Sequence, residues 1–366
     1  MVGWRAKGPE RTGVTTPIAI LPASPVGSRF KRLPTGSGLI VLYIALAIFV
    51  AVVDPRFFHG QNLQIVLSQN AGLAVTVVGM AYVIIGGAYD LSVGGIAGLS
   101  GVLFAKFSLT QPIALSIAES LGVCLACGLV NGFIVARLRV NSFMATFATG
   151  LVLSGIALYY QGSQEIVNFS PQFSTIGLSK WGPIPECIVL LVAVFIIGGL
   201  ILQCTKFGQD VYAIGGNREA ARLAGVRVNR TWGLTFVMSA FLSGLGGVLI
   251  ASQLGLGAAN SGTNLPIEAI AAVVVGGISV YGGEGKMWRA ALGLLILATL
   301  NNVFIALSWS TQLQEVAEGL VILLALGANL LTRRAEMKTA TSSEGKARSV
   351  VLTSPVSEEQ VSQGTK

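Results

Sequence analysis

Charge is what this sequence has least of. Only 11% of its 366 residues are Asp, Glu, Lys or Arg, against about 25% in soluble domains, while 53% are hydrophobic. That excludes an ordinary soluble enzyme over most of the chain and leaves an all-α polytopic membrane protein. Histidine is nearly missing: His59 stands alone in a loop after the first apolar run, so no His-Glu-x-x-His site can be built. The four cysteines, Cys124, Cys127, Cys187 and Cys204, lack zinc spacing. Cys124 and Cys127 lie inside an apolar run with no histidine near, so they read as small core residues. A phosphate-cradling loop is missing too. Gly285-Lys286 comes nearest to one, but Val280 stands where the first glycine belongs and Met287 where the hydroxyl belongs. No nucleophile elbow and no paired acid and base appear, so the chain does not read as an enzyme and has no means of hydrolysing ATP by itself.

Long apolar runs fill the space those absences leave. We count ten expected spans, at 38–53, 63–89, 91–107, 112–136, 143–160, 187–203, 232–253, 266–280, 287–307 and 313–331. They divide the chain into a tail over 1–37, a transmembrane domain over 38–331 and a second tail over 332–366, both tails polar enough to be disordered. The net charge of +8 would suggest nucleic acid in a soluble protein. Here orientation explains it: with the N-terminus inside, 21 of the 24 basic residues fall on the inner side and only Arg56, Lys106 and Lys180 on the outer. Both termini are then expected in the cytoplasm, and no nucleic-acid partner is called for. The longest outer connection, 161–186, reads as a loop with interfacial pieces.

One polar island interrupts the spans, from Thr205 to Arg230. Asn217 suits a helix N-cap, Glu219 lies in the first turn, Arg222 lies near the end, and Gly225 can take a left-handed C-terminal position. The spacing predicts a helix of about two turns, too short to stand alone in water. It reads either as a rigid knuckle presented to a soluble partner or as an ordinary capped loop helix.

Glycine pairs mark a second pattern. Val83-Ile84-Ile85-Gly86-Gly87 is echoed by Val273-Val274-Val275-Gly276-Gly277, and each is followed by another pair, Gly94-Gly95 or Gly282-Gly283. Both copies fall at inner ends of spans, so the repeat, if real, is parallel. Gly94 and Gly98 form a small-xxx-small face for close helix approach. The acids at or within spans are Asp90, Glu119, Glu268, Glu315 and Glu318. Each is a functional candidate because a charge inside a membrane is costly, although span-end positions also suit caps and snorkelling. Asn301-Asn302 lies mid-span and must find partners in the bundle; tying two helices together is the favoured reading over binding a polar solute.

Four stretches in order carry a family resemblance: Gly86 to Gly95 with Asp90 and Ser92, Tyr212 to Val226, Ala269 to Gly277, and Leu300-Asn301-Asn302. Together they resemble the permease subunits of ribose-type bacterial ABC importers, from about Asp54 to Leu331. The resemblance implies a permease dimer, most simply a homodimer, in the bacterial inner membrane. It implies an ATPase partner that binds ATP and Mg, a periplasmic sugar-binding protein, and no cofactor bound by this chain. Within that family Gly215, Gly216, Asn217, Arg218, Glu219, Ala220, Ala221, Arg222, Leu223 and Gly225 would form the coupling helix. Ala220 and Ala221 would allow close approach, Leu223 would be the apolar anchor, and the charged residues would form the rim. Family-signature or pathway candidates are Gly86, Gly87, Asp90, Ser92, Gly94, Glu268, Gly276, Gly277, Asn301 and Asn302. Tyr89 and Glu315 depart from the pattern, where an aliphatic residue and a glutamine are usual, and the N-terminal tail is longer. The implied function is monosaccharide import by alternating access. The runner-up is a branched-chain amino-acid or nucleoside permease of related importers, and a secondary transporter driven by ions is the reading from another class.

Overall fold

The computed structural model describes residues 37–53, 55, 57–310, 312–324 and 327. The expected tails over 1–37 and 332–366 lie almost wholly outside the described residues, as does the end of the last expected span. Thirteen helices are named here in chain order: α1 Ser37–Val53, α2 Gly60–Gln69, α3 Ala71–Ile85, α4 Val93–Phe107, α5 Ile113–Gly132, α6 Ser142–Gln161, α7 Pro171–Leu178, α8 Glu186–Cys204, α9 Lys206–Gly216, α10 Arg218–Leu223, α11 Val228–Leu254, α12 Leu265–Val275 and α13 Met287–Ala306. Residues 312–324 are also helical. Two short antiparallel ladders complete the fold, Ile166–Val167 with Leu256–Gly257 and Lys180–Trp181 with Ile184–Pro185.

Among the described residues, five helices are long and apolar enough to cross a membrane: Ile113–Arg137, which adds a π-turn to the end of α5, then α6, α8, α11 and α13. A sixth span results if α2 and α3 count as one crossing bent by 55°. The sequence reads residues 63–89 as one straight run because hydropathy sums composition and does not see the break. At the break, the Asn70 side chain donates to the Val66 carbonyl at 2.8 Å, satisfying an oxygen that the bend leaves near the end of α2. The apolar helix α12 has 11 residues, about 16 Å. It is too short to cross alone, where the sequence predicts a span over 266–280.

The core is built around α11, which packs against α3, α4 and α5. α4 is buried along its length from Val93 to Ala105. Its glycines explain how so many elements meet it. A side-chain carbon on Gly94 would lie 2.5 Å from the Gly262 carbonyl, one on Gly95 would strike Gly150, and one on Gly98 would strike Ala259. The expected Gly94 and Gly98 face is thus a close seam against one segment, 259–262, while Gly95 beside it meets α6 at Gly150.

Candidate functional sites at the two ends of the bundle

One end is a junction of glycines. α3 stops when the Gly87 N–H donates to Ile84 O at 2.9 Å and the Ala88 N–H to Val83 O at 3.0 Å. α12 stops in the same way, Gly277 to Val274 at 2.8 Å and Ile278 to Val273 at 3.2 Å. These are Schellman stops, with φ of +76° at Gly87 and +72° at Gly277, where a side chain would be strained. The internal echo is therefore also an echo in structure. Onto the first stop folds the loop 278–286, whose Gly283 N–H donates to Ile85 O at 2.8 Å. Gly215 of α9 closes the stack: a side chain on it would run into the Ile85 carbonyl and the Gly283 nitrogen. Two tyrosines pin the same loop, Tyr89 donating to Val280 O at 2.8 Å and Tyr212 to Gly285 O at 2.6 Å.

The predicted two-turn helix is α10, mounted on this junction. Asn217 Oδ1 accepts from the Ala220 N–H at 3.0 Å, and a third Schellman stop ends it, with Gly225 at φ +84°. Arg222 pairs with Glu219, which holds the Glu219 carboxyl below its ordinary range. Two expectations for this helix need correction. Ala221 is only 5% exposed and packs into the bundle beside Val83, Trp232 and Phe236, so it is not open to a partner. Arg218 does not stand on a free rim either: its guanidinium lies 3.6 Å from the centroid of the Trp232 ring. Leu223, at 76% exposure, is the apolar residue left facing outward.

The other end holds a polar chamber. A cavity of about 290 Å³ is lined by Gln69, Asn70, Ser261, Glu268, Asn301 and Asn302, with aliphatic walls that include Leu73 and Ile250. A smaller cavity beside it shares Asn70, Glu268 and Asn301 and adds Glu318 from residues 312–324. The sequence favours Asn301 and Asn302 as ties between helices. Among the described residues neither side chain has a hydrogen bond, and both face the chamber instead. Glu268 occupies the first turn of α12, so it answers the helix dipole and lines the chamber at once.

Asp90 and Ser92 sit elsewhere, buried where α4 begins. Asp90 Oδ1 accepts from the Ser92 N–H at 3.0 Å and from the Ser92 hydroxyl at 2.5 Å, and Asn131 donates to Ser92 Oγ at 2.7 Å. Their evident work is to start a buried helix. Gly86, Gly87, Gly276 and Gly277 belong to the junction, and Gly94 to the α4 contact with Gly262. Of the candidates for a path, the structure brings Glu268, Asn301 and Asn302 together and leaves the others apart.

The family model described as "Branched-chain amino acid transport system / permease component" matches residues 62–326. The chain belongs to that permease family. A ribose import permease protein, RbsC of Haemophilus influenzae, is 37% identical over 295 residues, which is 78% of this chain and 91% of the relative. An L-arabinose transport system permease protein, AraH of Escherichia coli, is 35% identical over 81% of this chain and 91% of its own length. An L-arabinose ABC transporter permease protein of Azospirillum brasilense is 32% identical over 88% and 95%. No solved structure matches. Within this permease family fold, Gln69, Asn70 and Ser261 are lining residues the sequence reading did not single out, while Glu318 is one of the span acids it did. A carboxamide pair flanking the break between two apolar helices was the available signal for Gln69 and Asn70.

Proposed function

We propose that the chain is the membrane subunit of an ATP-driven importer of a neutral monosaccharide. A separate ATPase binds ATP and Mg, a periplasmic protein delivers the sugar, and a second permease chain completes the path. The single observation that carries the substrate class is the chamber. Its polar lining consists of four carboxamides, a hydroxyl and the Glu268 carboxylate, groups that donate to and accept from sugar hydroxyls. Among its described lining residues there is no cation, so the carboxylate of an amino acid would meet Glu268 with nothing to balance it. The names of the curated relatives support a pentose. A multi-pass bundle with both termini cytoplasmic, and α10 as the element that seats on the ATPase, complete the reading. ATP-driven closure of the ATPase would move α10, and the bundle would alternate between outward and inward openings.

Uptake into proteoliposomes holding the permease, its ATPase and its binding protein tests this. Labelled ribose or arabinose should accumulate with ATP, and labelled leucine should not. Asn301→Leu or Glu268→Gln should each weaken sugar uptake about fivefold, the worth of one hydrogen bond, with the ATPase still bound. Leucine uptake without sugar uptake would overturn the substrate class, and accumulation without the ATPase would overturn the energy source.

A further inference from the structure

A cavity of about 660 Å³ opens between α9 and the start of α11, beside the end of α8. Lys206, Arg227 and Arg230 line it together with Asp210, an excess of two positive charges. Among the described residues none of the three cations has an ion-pair partner; the one pair, Arg222 with Glu219, lies outside the cavity. The site's position along the chain is as informative as its charge. Lys206 comes two residues after the last residue of α8, and Arg227 and Arg230 bracket the start of α11, so the cations sit where two apolar helices leave the hydrocarbon. Below them the wall is apolar and uncovered. Leu234, one turn deeper on α11, lines the cavity and is 40% exposed. Phe207 contributes a ring to the cavity itself.

Three unpaired cations over an exposed apolar wall match a molecule that is anionic at one end and hydrocarbon at the other. We propose that this cavity seats the phosphate of an anionic phospholipid, with an acyl chain lying along Leu234 and the face of α11 below it. The assignment rests on α8 and α11 spanning the membrane. Guanidinium groups bind phosphate through charge-assisted, bidentate hydrogen bonds, and basic residues at this depth attract anionic lipid. Asp210 opposes the phosphate from within the same cavity, which fixes the sign of a second test. A side chain of the ATPase would bring a carboxylate to the same cations but no hydrocarbon for the wall.

The test uses the full-length permease extracted from bilayers of phosphatidylcholine and phosphatidylglycerol, with retained lipid counted by native mass spectrometry. Phosphatidylglycerol should be retained in preference. Arg227→Gln with Arg230→Gln should weaken that retention tenfold or more, at about one unit of basic-residue attraction each, and Asp210→Asn should strengthen it several-fold. Both changes are at the surface, and an unchanged unfolding midpoint verifies the fold. Equal retention of the two lipids, or unchanged retention in the double variant, overturns the proposal. So does binding of inorganic phosphate alone as tight as that of the lipid, which would make this a free-phosphate site. Loss of ATPase co-purification with lipid retention intact would assign the cavity to a protein contact and overturn it as well. Sugar uptake is a separate readout, so failure here leaves the transport reading standing.

Discussion

At the scale of single residues, adjacent glycines make opposite demands. Gly215 has no room for a methyl group because the Ile85 carbonyl and the Gly283 nitrogen already occupy it. Gly216, in the same helix, would place that methyl in open space. Gly215→Ala should therefore lower the yield and unfolding temperature of the purified permease sharply. Gly216→Ala should be neutral or stabilise by up to about 1 kcal/mol. Equal effects of the two substitutions would refute the stacking at the junction. Gly87→Val acts by a different cause. Nothing lies nearer than 3.5 Å to the added carbon, so its cost of about 1 to 3 kcal/mol comes from the positive φ. Sequence alone could flag these glycine pairs, but it could not tell which member bears a contact and which is incidental. That depends on segments more than a hundred residues apart meeting at one point. Tyr89 shows the same limit. It departs from the family pattern and would be suspected of tuning the substrate, yet its hydroxyl holds the loop at Val280, at the junction and away from the chamber.

Among elements, α10 was the most legible from sequence, because its signals are local: Asn217, Glu219, Arg222 and Gly225 each act within four residues. Asn217→Ala should cost about 1 kcal/mol of local stability, read as faster amide exchange over 218–224. What local signals could not supply was the facing of the helix. Leu223→Asp should abolish ATPase co-purification while leaving the unfolding temperature of the permease unchanged, since Leu223 projects outward. An apolar anchor of this kind is worth about 2 kcal/mol or more. Ala221→Arg should instead destabilise the permease itself, because it forces a charge into the cluster around Trp232 and Phe236. If Leu223→Asp binds the ATPase normally, α10 is not the coupling element. α9 went unrecognised as a helix, masked by the charges that made the island conspicuous. α12 was overestimated because its apolar run continues through Gly276 and Gly277, and hydropathy does not register a stop made by backbone hydrogen bonds.

At the scale of the molecule, three helices join the two candidate sites. α3 runs about 22 Å from Asn70 at the chamber to Gly86 at the junction. α12 carries Glu268 in its first turn and is capped by Gly276, and α13 returns from Met287 to Asn301 and Asn302. A displacement of α9 and α10 thus has a direct mechanical route to the chamber. Side assignment rests on the charge bias, and cysteine labelling checks it: a residue placed in 164–179 should react from outside the cell and one at 217 should not. The reverse pattern would invert the topology. Broad class was legible because a bilayer penalises charge at every position in a span. The bend at Asn70 and the convergence of the chamber were not, because they are tertiary. The stack of Arg218 on Trp232 has one further consequence, an optical one. The indole is buried in the bundle while the cation above it belongs to the element proposed to meet the ATPase. A chain stripped of its other four tryptophans would then carry a built-in reporter, its emission sensitive to whether a positive charge lies on the ring face. Adding the ATPase to that chain should change the emission, and Arg218→Gln should remove the response while leaving the tryptophan as dry as before.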